Sequence, residues 1–286
     1  MPVLRSGSPH RSVRSRASVA GILLATVSLL VGLPGTAGAA ATARAPEPRH
    51  PEQDWAGSQI AQHEGTKGGL LPPLPSLTAS VEGVDVSSHN GNVAWSTLWG
   101  AGVKFAYVKA TESTSYTNPY FAQQYNGSYN SGMIRGSYHF ATPDTSSGAA
   151  QANYFVDHGG GWSKDGKTLP GALDMEYNPY GATCYGLSAA GLVNWMKDWF
   201  ATYKARTGRD AVIYTSTSWW QQCTGNSGAF GSTNPLWVPR YGSSVGELPA
   251  GWGFHTIWQY TSTGPTVGDH NLFNGAYDRL QALANG

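Results

Sequence analysis

LPGALDMEYN, residues 169–178, raises a short apolar run out of a Pro-Gly turn and ends it on two acids, Asp174 and Glu176, with only Met175 between them. A brief apolar run bounded by turn residues reads as a buried strand of the kind that parallel sheets use. Side chains alternate along a strand, so Asp174 and Glu176 point to one side and Met175 to the other, where it is expected to be core. Two carboxylates that close repel when both are charged, and one proton tends to stay with the pair near neutral pH.

Short β-branched and aromatic runs recur on either side of this stretch. They lie at 83–88 (GVDVSS), 103–111 (VKFAYVKAT), 134–140 (IRGSYHF), 169–177, 211–216 (AVIYTS), 235–241 (PLWVPRY) and 255–261 (HTIWQYT). Helical patterns are expected between them near 93–101, 119–131 and 145–157, and most clearly from Ser188 to about Thr207. In that last segment Leu192, Trp195, Met196, Trp199, Phe200 and Tyr203 form one continuous apolar stripe, with Ser188 as N-cap and Gly208 as the residue that ends the helix. Alternating strands and helices predict βα units around a mostly parallel sheet. After Val212 no helical pattern is long enough to cross between strands. The fold class expected is therefore α/β, a modified TIM-like barrel of about five βα units followed by three strands without helices, in a single catalytic domain.

The first 40 residues read differently. A basic start (Arg5, Arg11, Arg14, Arg16), an apolar stretch from about Val19 to Leu33 and the small-residue site Ala37-Gly38-Ala39 predict a secretory signal peptide cut after Ala39 or Ala40. Residues 41–80 are rich in Ala, Pro and Gly with no sustained period, and read as a propeptide or flexible linker. The catalytic barrel is expected over 81–286. Without residues 1–40, 14 basic residues face 17 acidic ones, a mildly acidic balance that argues against nucleic-acid binding. Secretion to the extracellular space, no stable membrane association after signal cleavage, and a monomer are expected. In a secreted chain the two cysteines, Cys184 and Cys223, both in polar Gly-bearing segments, are expected to form a disulfide. No zinc-type Cys/His spacing occurs, and neither metal nor cofactor is expected.

Catalytic groups of such barrels come from the carboxyl ends of several strands. Those ends offer Asp85 with Ser87, Ser88, His89 and Asn90, then Tyr138 and His139, then Asp174, Glu176 and Tyr177. Later come Tyr214, Trp237, Arg240, Tyr241, Trp258, Gln259 and Tyr260, with Asp269 and Asn271 in what reads as a loop, GDHNLFNG. Taken singly each carboxylate is more often a turn cap, a solvated edge or a cation site. Four of them (Asp85, Asp174, Glu176, Asp269) among aromatic rings fit glycosidic cleavage better, since that reaction needs a proton donor for the leaving oxygen and negative charge facing an oxocarbenium-like centre. The aromatic and amide side chains Tyr138, Tyr177, Tyr214, Trp237, Tyr241, Gln259 and Tyr260 are the candidate sugar contacts. His139 is expected to be a hydrogen-bonded core histidine, and no nucleophile elbow is present.

The ordered blocks GVDVSSHNG (83–91), KFAYVKATES (104–113), GSYHFATP (136–143), ALDMEYN (172–178), IYTSTSWW (213–220), LWVPRYG (236–242), IWQYTSTG (257–264) and DHNLFNG (269–275) resemble those of glycoside hydrolase family 25, the secreted lysozymes or N-acetylmuramidases. The resemblance spans essentially 81–285. It implies a flattened barrel and hydrolysis of the β-1,4 bond from N-acetylmuramic acid to N-acetylglucosamine in the glycan strands of bacterial peptidoglycan. By the same resemblance Glu176 matches the general acid/base, Asp174 the carboxylate beside it, and Asp85 and Asp269 the further acids of the groove. Tyr138, Tyr214, Trp237 and Gln259 match sugar-holding positions. The first block departs from the family in having SSHNG where an aromatic often follows the histidine.

Two other readings compete. A chitin-type hydrolase would carry a D-x-x-D-x-D-x-E run, but Pro170, Gly171, Ala172 and Leu173 precede Asp174 here. A non-catalytic glycan-binding homologue would be expected to lack one of the four carboxylates, and all are present.

Overall fold

The computed structural model describes residues 48–65 and 80–286, which belong to one compact unit. The signal-peptide reading of 1–40, and the linker reading at 41–47 and 66–79, lie outside the described residues.

From β1 (Val81–Val86) the chain passes through α2 (Trp95–Gly100), β2 (Phe105–Glu112), a short β3 (Tyr116–Thr117), α3 (Phe121–Asn130), β4 (Ile134–Phe140), α4 (Gly148–Phe155) and β5 (Ala172–Asp174). It continues through α5 (Ala189–Thr207), β6 (Val212–Tyr214), α6 (Thr217–Thr224), β7 (Leu236–Pro239), β8 (Ile257–Thr261), β9 (Asp269–Phe273) and α7 (Tyr277–Asn285), while α1 (Ile60–Glu64) precedes the sheet. Neighbours run β1-β9-β8-β7-β6-β5-β4-β2, and a β1–β2 pairing closes the ring into an eight-stranded barrel, with β3 added outside on β2. All ring pairings are parallel except those of β9, which is antiparallel to both β8 and β1. Five βα units followed by three strands is the expected plan.

Two elements depart from the sequence reading. GDHNLFNG, read as a loop, is the strand β9; Asp269 and Asn271 take its inward side, and only five residues alternate, too few for a clear period. The helix α6 also went unread. It is eight residues long and is started by the Ser216 side chain, which accepts from Trp219 N–H. The longest predicted helix forms as expected: the Ser188 side chain accepts from Gly191 N–H, and Gly208 ends it at φ 74°.

Inward side chains fill the barrel with rings. Trp237 stacks on Tyr107 (4.8 Å between centroids) and meets Tyr214 edge-on (4.8 Å) and Tyr138 at 6.2 Å. Outward from β4–β7, the whole α5 stripe is buried together with Leu173, Met175 and Ile213. The two helices α4 and α5 touch backbone to backbone at Gly148, where any Cβ would lie 2.3 Å from the Trp195 carbonyl. A third cluster packs Val84, Val86, Ala106 and Val108 under α2 and α3.

Cys184 and Cys223 are bonded, tying the loop after β5 to α6 across 39 residues. Closing a loop of that length stabilises the fold by roughly 3–4 kcal/mol in the chain-entropy model. Replacing both cysteines with serine should lower unfolding free energy by about that much in denaturant titrations; an unchanged midpoint would show that the bridge restrains nothing the rest of the fold does not.

Candidate functional site

The strand ends bring the predicted acids to one mouth of the barrel. β5 stops at Asp174, but its ladder runs on, because Met175 N–H donates to the Tyr214 carbonyl (2.9 Å) and Ala141 N–H to that of Asp174 (3.0 Å). Extended backbone thus reaches Glu176, whose own carbonyl accepts from Tyr185 Oη (3.1 Å). Asp174 and Glu176 are both fully buried on the inward side.

Across the mouth Asp85 sits opposite Asp269 in the β1–β9 register. Gln259 Nε2 (2.9 Å) and Asn271 Nδ2 (2.7 Å) both donate to Asp85 Oδ2, while Asn271 Oδ1 accepts from Trp237 Nε1 (2.7 Å). Tyr214 Oη donates to Gln259 Oε1 (2.8 Å), and so does Tyr241 Oη (3.1 Å). Asp85, Gln259, Asn271, Tyr214, Tyr241 and Trp237 therefore form one continuous network. Both oxygens of Asp174 are buried without a hydrogen-bond partner.

Burial dominates the electrostatics. It lifts the Glu176 carboxyl to about 8, although the amides of Gly57 and Gln59 pull the other way. Burial, and then the neighbouring Glu176, push Asp174 well above the ordinary carboxylate range. Asp85 rises to about 7 through burial, against the donated bonds of Asn271 and Gln259, and Asp269 rises through burial and the charge of Asp85.

Three residues that sequence reasoning passed over complete the mouth. Lys109 and Glu112, fully buried at the end of β2, pair at 2.5 Å, and Tyr180 Oη donates to Glu112 Oε1 (2.7 Å). Burial raises Glu112 to about 7, with Lys109 opposing. The sequence does carry a signal for them: VKFAYVKATES reads as a strand with Lys109 and Glu112 at its carboxyl end. Tyr260 stands apart from the cluster. It lies on the opposite face of β8 from Gln259, and its hydroxyl donates to Glu82 (2.8 Å). His139 is core as expected, held by Thr111 Oγ1 (2.7 Å) and Gln151 Oε1 (2.9 Å), with burial lowering its ring to about 4. Among the described residues no group of three or more His, Cys, Asp or Glu is arranged to hold a metal ion, and no helix is long and apolar enough to cross a membrane.

Residues 48–65 also line this mouth. Gly57 N–H donates to Glu176 Oε1 (2.7 Å) and Gln59 N–H to Oε2 (3.2 Å). Ala56 N–H donates to Tyr138 Oη (3.2 Å), and its carbonyl accepts from Gln259 Nε2 (2.8 Å). The Trp55 ring stacks on His89 (4.3 Å) and lines one cleft with Asp269, and the His63 ring lies parallel to Tyr177 at 4.1 Å. Tyr177 Oη donates to Glu64 Oε1 (2.9 Å), Lys109 Nζ donates to the carbonyls of Pro51 (2.9 Å) and Asp54, and the Asp54 carboxyl lies within hydrogen-bond reach of the Tyr180 hydroxyl.

The chain has clear relatives. It is 49% identical over 211 residues to an N,O-diacetylmuramidase of Chalaropsis sp, covering 72% of this chain and 100% of that protein. It is 48% identical over 234 residues to Lysozyme M1 of Streptomyces globisporus, covering 80% of each. Among solved structures, a muramidase from Acremonium alcalophilum superposes with a TM-score of 0.71 at 56% identity, covering 72% of this chain and 99% of that one. The profile of the family described as Glycosyl hydrolases family 25 matches residues 84–269, and with these relatives it places the chain in that family: the protein is a glycoside hydrolase of family 25.

Proposed function

We propose that the protein is a secreted muramidase that cuts the β-1,4 bond between N-acetylmuramic acid and N-acetylglucosamine in bacterial peptidoglycan, with Glu176 as general acid/base and Asp174 assisting. The observation that carries this reading is the Asp174–Glu176 pair, buried side by side at the mouth where Asp85 and Asp269 also converge. The names of the relatives, a lysozyme and an N,O-diacetylmuramidase, support the substrate. The signal-like start of the sequence supports secretion.

A carboxyl lifted to about 8 is protonated at neutral pH and can give its proton to the leaving glycosidic oxygen. Two acids at i and i+2 on one strand project from one side of the bond, an awkward arrangement for a nucleophile and an acid that must flank it. Attack by the sugar's own 2-acetamido oxygen at the anomeric carbon removes the difficulty. Asp174, whose two oxygens have no hydrogen-bond partner, then accepts the acetamido N–H and orients the acetamido oxygen for attack. The carbon–oxygen bond breaks as Glu176 protonates the leaving group. Water next adds to the anomeric carbon while Glu176 takes its proton back, and the acetamido group is released unchanged. Tyr138, Tyr214, Trp237, Tyr241 and Gln259 would hold the sugar, and Tyr177 would border the groove.

Glu176→Gln keeps the shape and removes the proton, so turnover of purified peptidoglycan should drop by about 10²- to 10⁴-fold with the fold intact. Reducing-end release at the wild-type rate in that variant would remove Glu176 from its role. Substrate assistance makes a second demand: peptidoglycan whose muramic acid has lost its N-acetyl group should not be cut, and normal cleavage of it would point to direct attack by a protein carboxylate.

The raised carboxyls also set a direction for stability. Glu176, Asp85 and Glu112 hold protons in the folded chain up to about 8, 7 and 7, well above where they would lose them when unfolded. The native state therefore binds more protons in that window, and stability falls as pH rises through it. His139 is neutral when folded, and its contribution changes only at lower pH. Calorimetric midpoints should decline from about pH 6.5 to about pH 8.5, less steeply in Glu176→Gln; a midpoint that climbs over this range would contradict the assignment of buried neutral acids.

A further inference from the structure

We propose that residues 48–65 are an inhibitor of the catalytic groove carried in cis, an inference that rests on the muramidase reading of that groove. The segment engages the groups the reaction needs, one after another. Both oxygens of Glu176 are taken by backbone amides, at Gly57 and Gln59. Tyr138 accepts from the Ala56 N–H and Gln259 donates to the Ala56 carbonyl, while Trp55 borders the cleft that Asp269 lines. With Glu176 holding two backbone donors and Ala56 fully buried over the rings, a glycosidic oxygen has no path to the acid. Peptide N–H and C=O groups present the same donors and acceptors as the acetamido groups of the sugars, so a groove built for one can hold the other.

The segment is seated by side chains as well as by backbone. Asp54 is 1% exposed and bonds to Tyr180, while its carbonyl and that of Pro51 accept from Lys109. At the other end α1 places His63 flat on Tyr177 and Glu64 on its hydroxyl. Open clefts remain on either side of it. One, about 430 Å³, is bordered by Trp55, Asp85, His89 and Asp269, and the other, about 190 Å³, by Ile60, His63, Tyr177 and Tyr241. The segment thus divides what would otherwise be one groove, at the acids. Because it belongs to the same chain it competes with an effective concentration on the order of millimolar, well above that of a soluble glycan.

Gly57 gives a clean test. Its φ is +95°, and a Cβ there would lie 2.5 Å from Tyr241 Oη and 2.6 Å from Gln259 Oε1, so Gly57→Val cannot sit in the groove. Trp55→Ala loosens the same segment without adding bulk, and neither residue belongs to a barrel strand. In the chain spanning residues 41–286, both variants should release reducing ends from peptidoglycan at least about tenfold faster than the unaltered chain, and should bind a soluble tetrasaccharide of alternating N-acetylglucosamine and N-acetylmuramic acid at least about tenfold tighter by calorimetry. Equal hydrolysis and equal binding in all three proteins would overturn the inhibitory role and leave the muramidase standing. Tighter binding by the variants with no hydrolysis in any protein would keep the inhibitor and remove the muramidase. Failure of every protein to bind the tetrasaccharide would overturn both.

Discussion

Burying Asp85, Glu112, Asp174, Glu176 and Asp269 at one end of a barrel is the constraint from which the rest of the architecture follows. Each charge taken from water is costly unless it is paired, bonded or neutralised. Asp85 is met by two amides, and Glu112 has Lys109. Even so, burial lifts Asp85 and Glu112 to about 7, and it pushes Glu176 and Asp174 toward their neutral forms as well. The ring-filled barrel below them, closed by Trp237, Tyr107, Tyr138 and Tyr214, keeps water from approaching from the interior side and keeps their environment apolar. A general acid active at neutral pH needs the environment that a hydrophobic floor and a neighbouring acid supply.

Much of this was legible in the sequence. The βα plan came from strands and helices whose periods are long enough to count, and α5 came with its caps and its buried face. LPGALDMEYN placed Asp174, Met175 and Glu176 on their correct sides because strand alternation is strict even though only three residues are in β5. What escaped was short or depended on distant partners. β9 has five residues and polar inward positions, so it carries no apolar signal, and it becomes a strand only because β1 and β8 both offer edges to it. Tyr260 adjoins the right motif, but alternation from Gln259 turns it outward.

Residues 48–65 illustrate the same limit from the other direction. Their composition is that of an unstructured connector, and only Ile60–Glu64 is helical. Their order comes from hydrogen bonds to groups that sit more than a hundred positions away in Glu176 and more than two hundred in Gln259. Local propensity contains none of that information. An amide placed against a buried carboxyl can order a segment whose own side chains show no preference, provided that the carboxyl has nothing better to bind.

The one antiparallel strand of the closed ring, β9, has a consequence for how the protein is made. β1 leaves the ribosome long before residues 269–273, which complete one of its two edges. Asn271, which steadies Asp85, arrives with that strand. Pairing at such sequence separation is slow and has to wait for β9. A truncated product that stops before Asp269 would carry Glu176 and Asp174 but have an open seam and an unsupported Asp85. β9 therefore acts as a check on the strands made before it: only a chain translated through β9 can close the barrel and assemble the ring of acids.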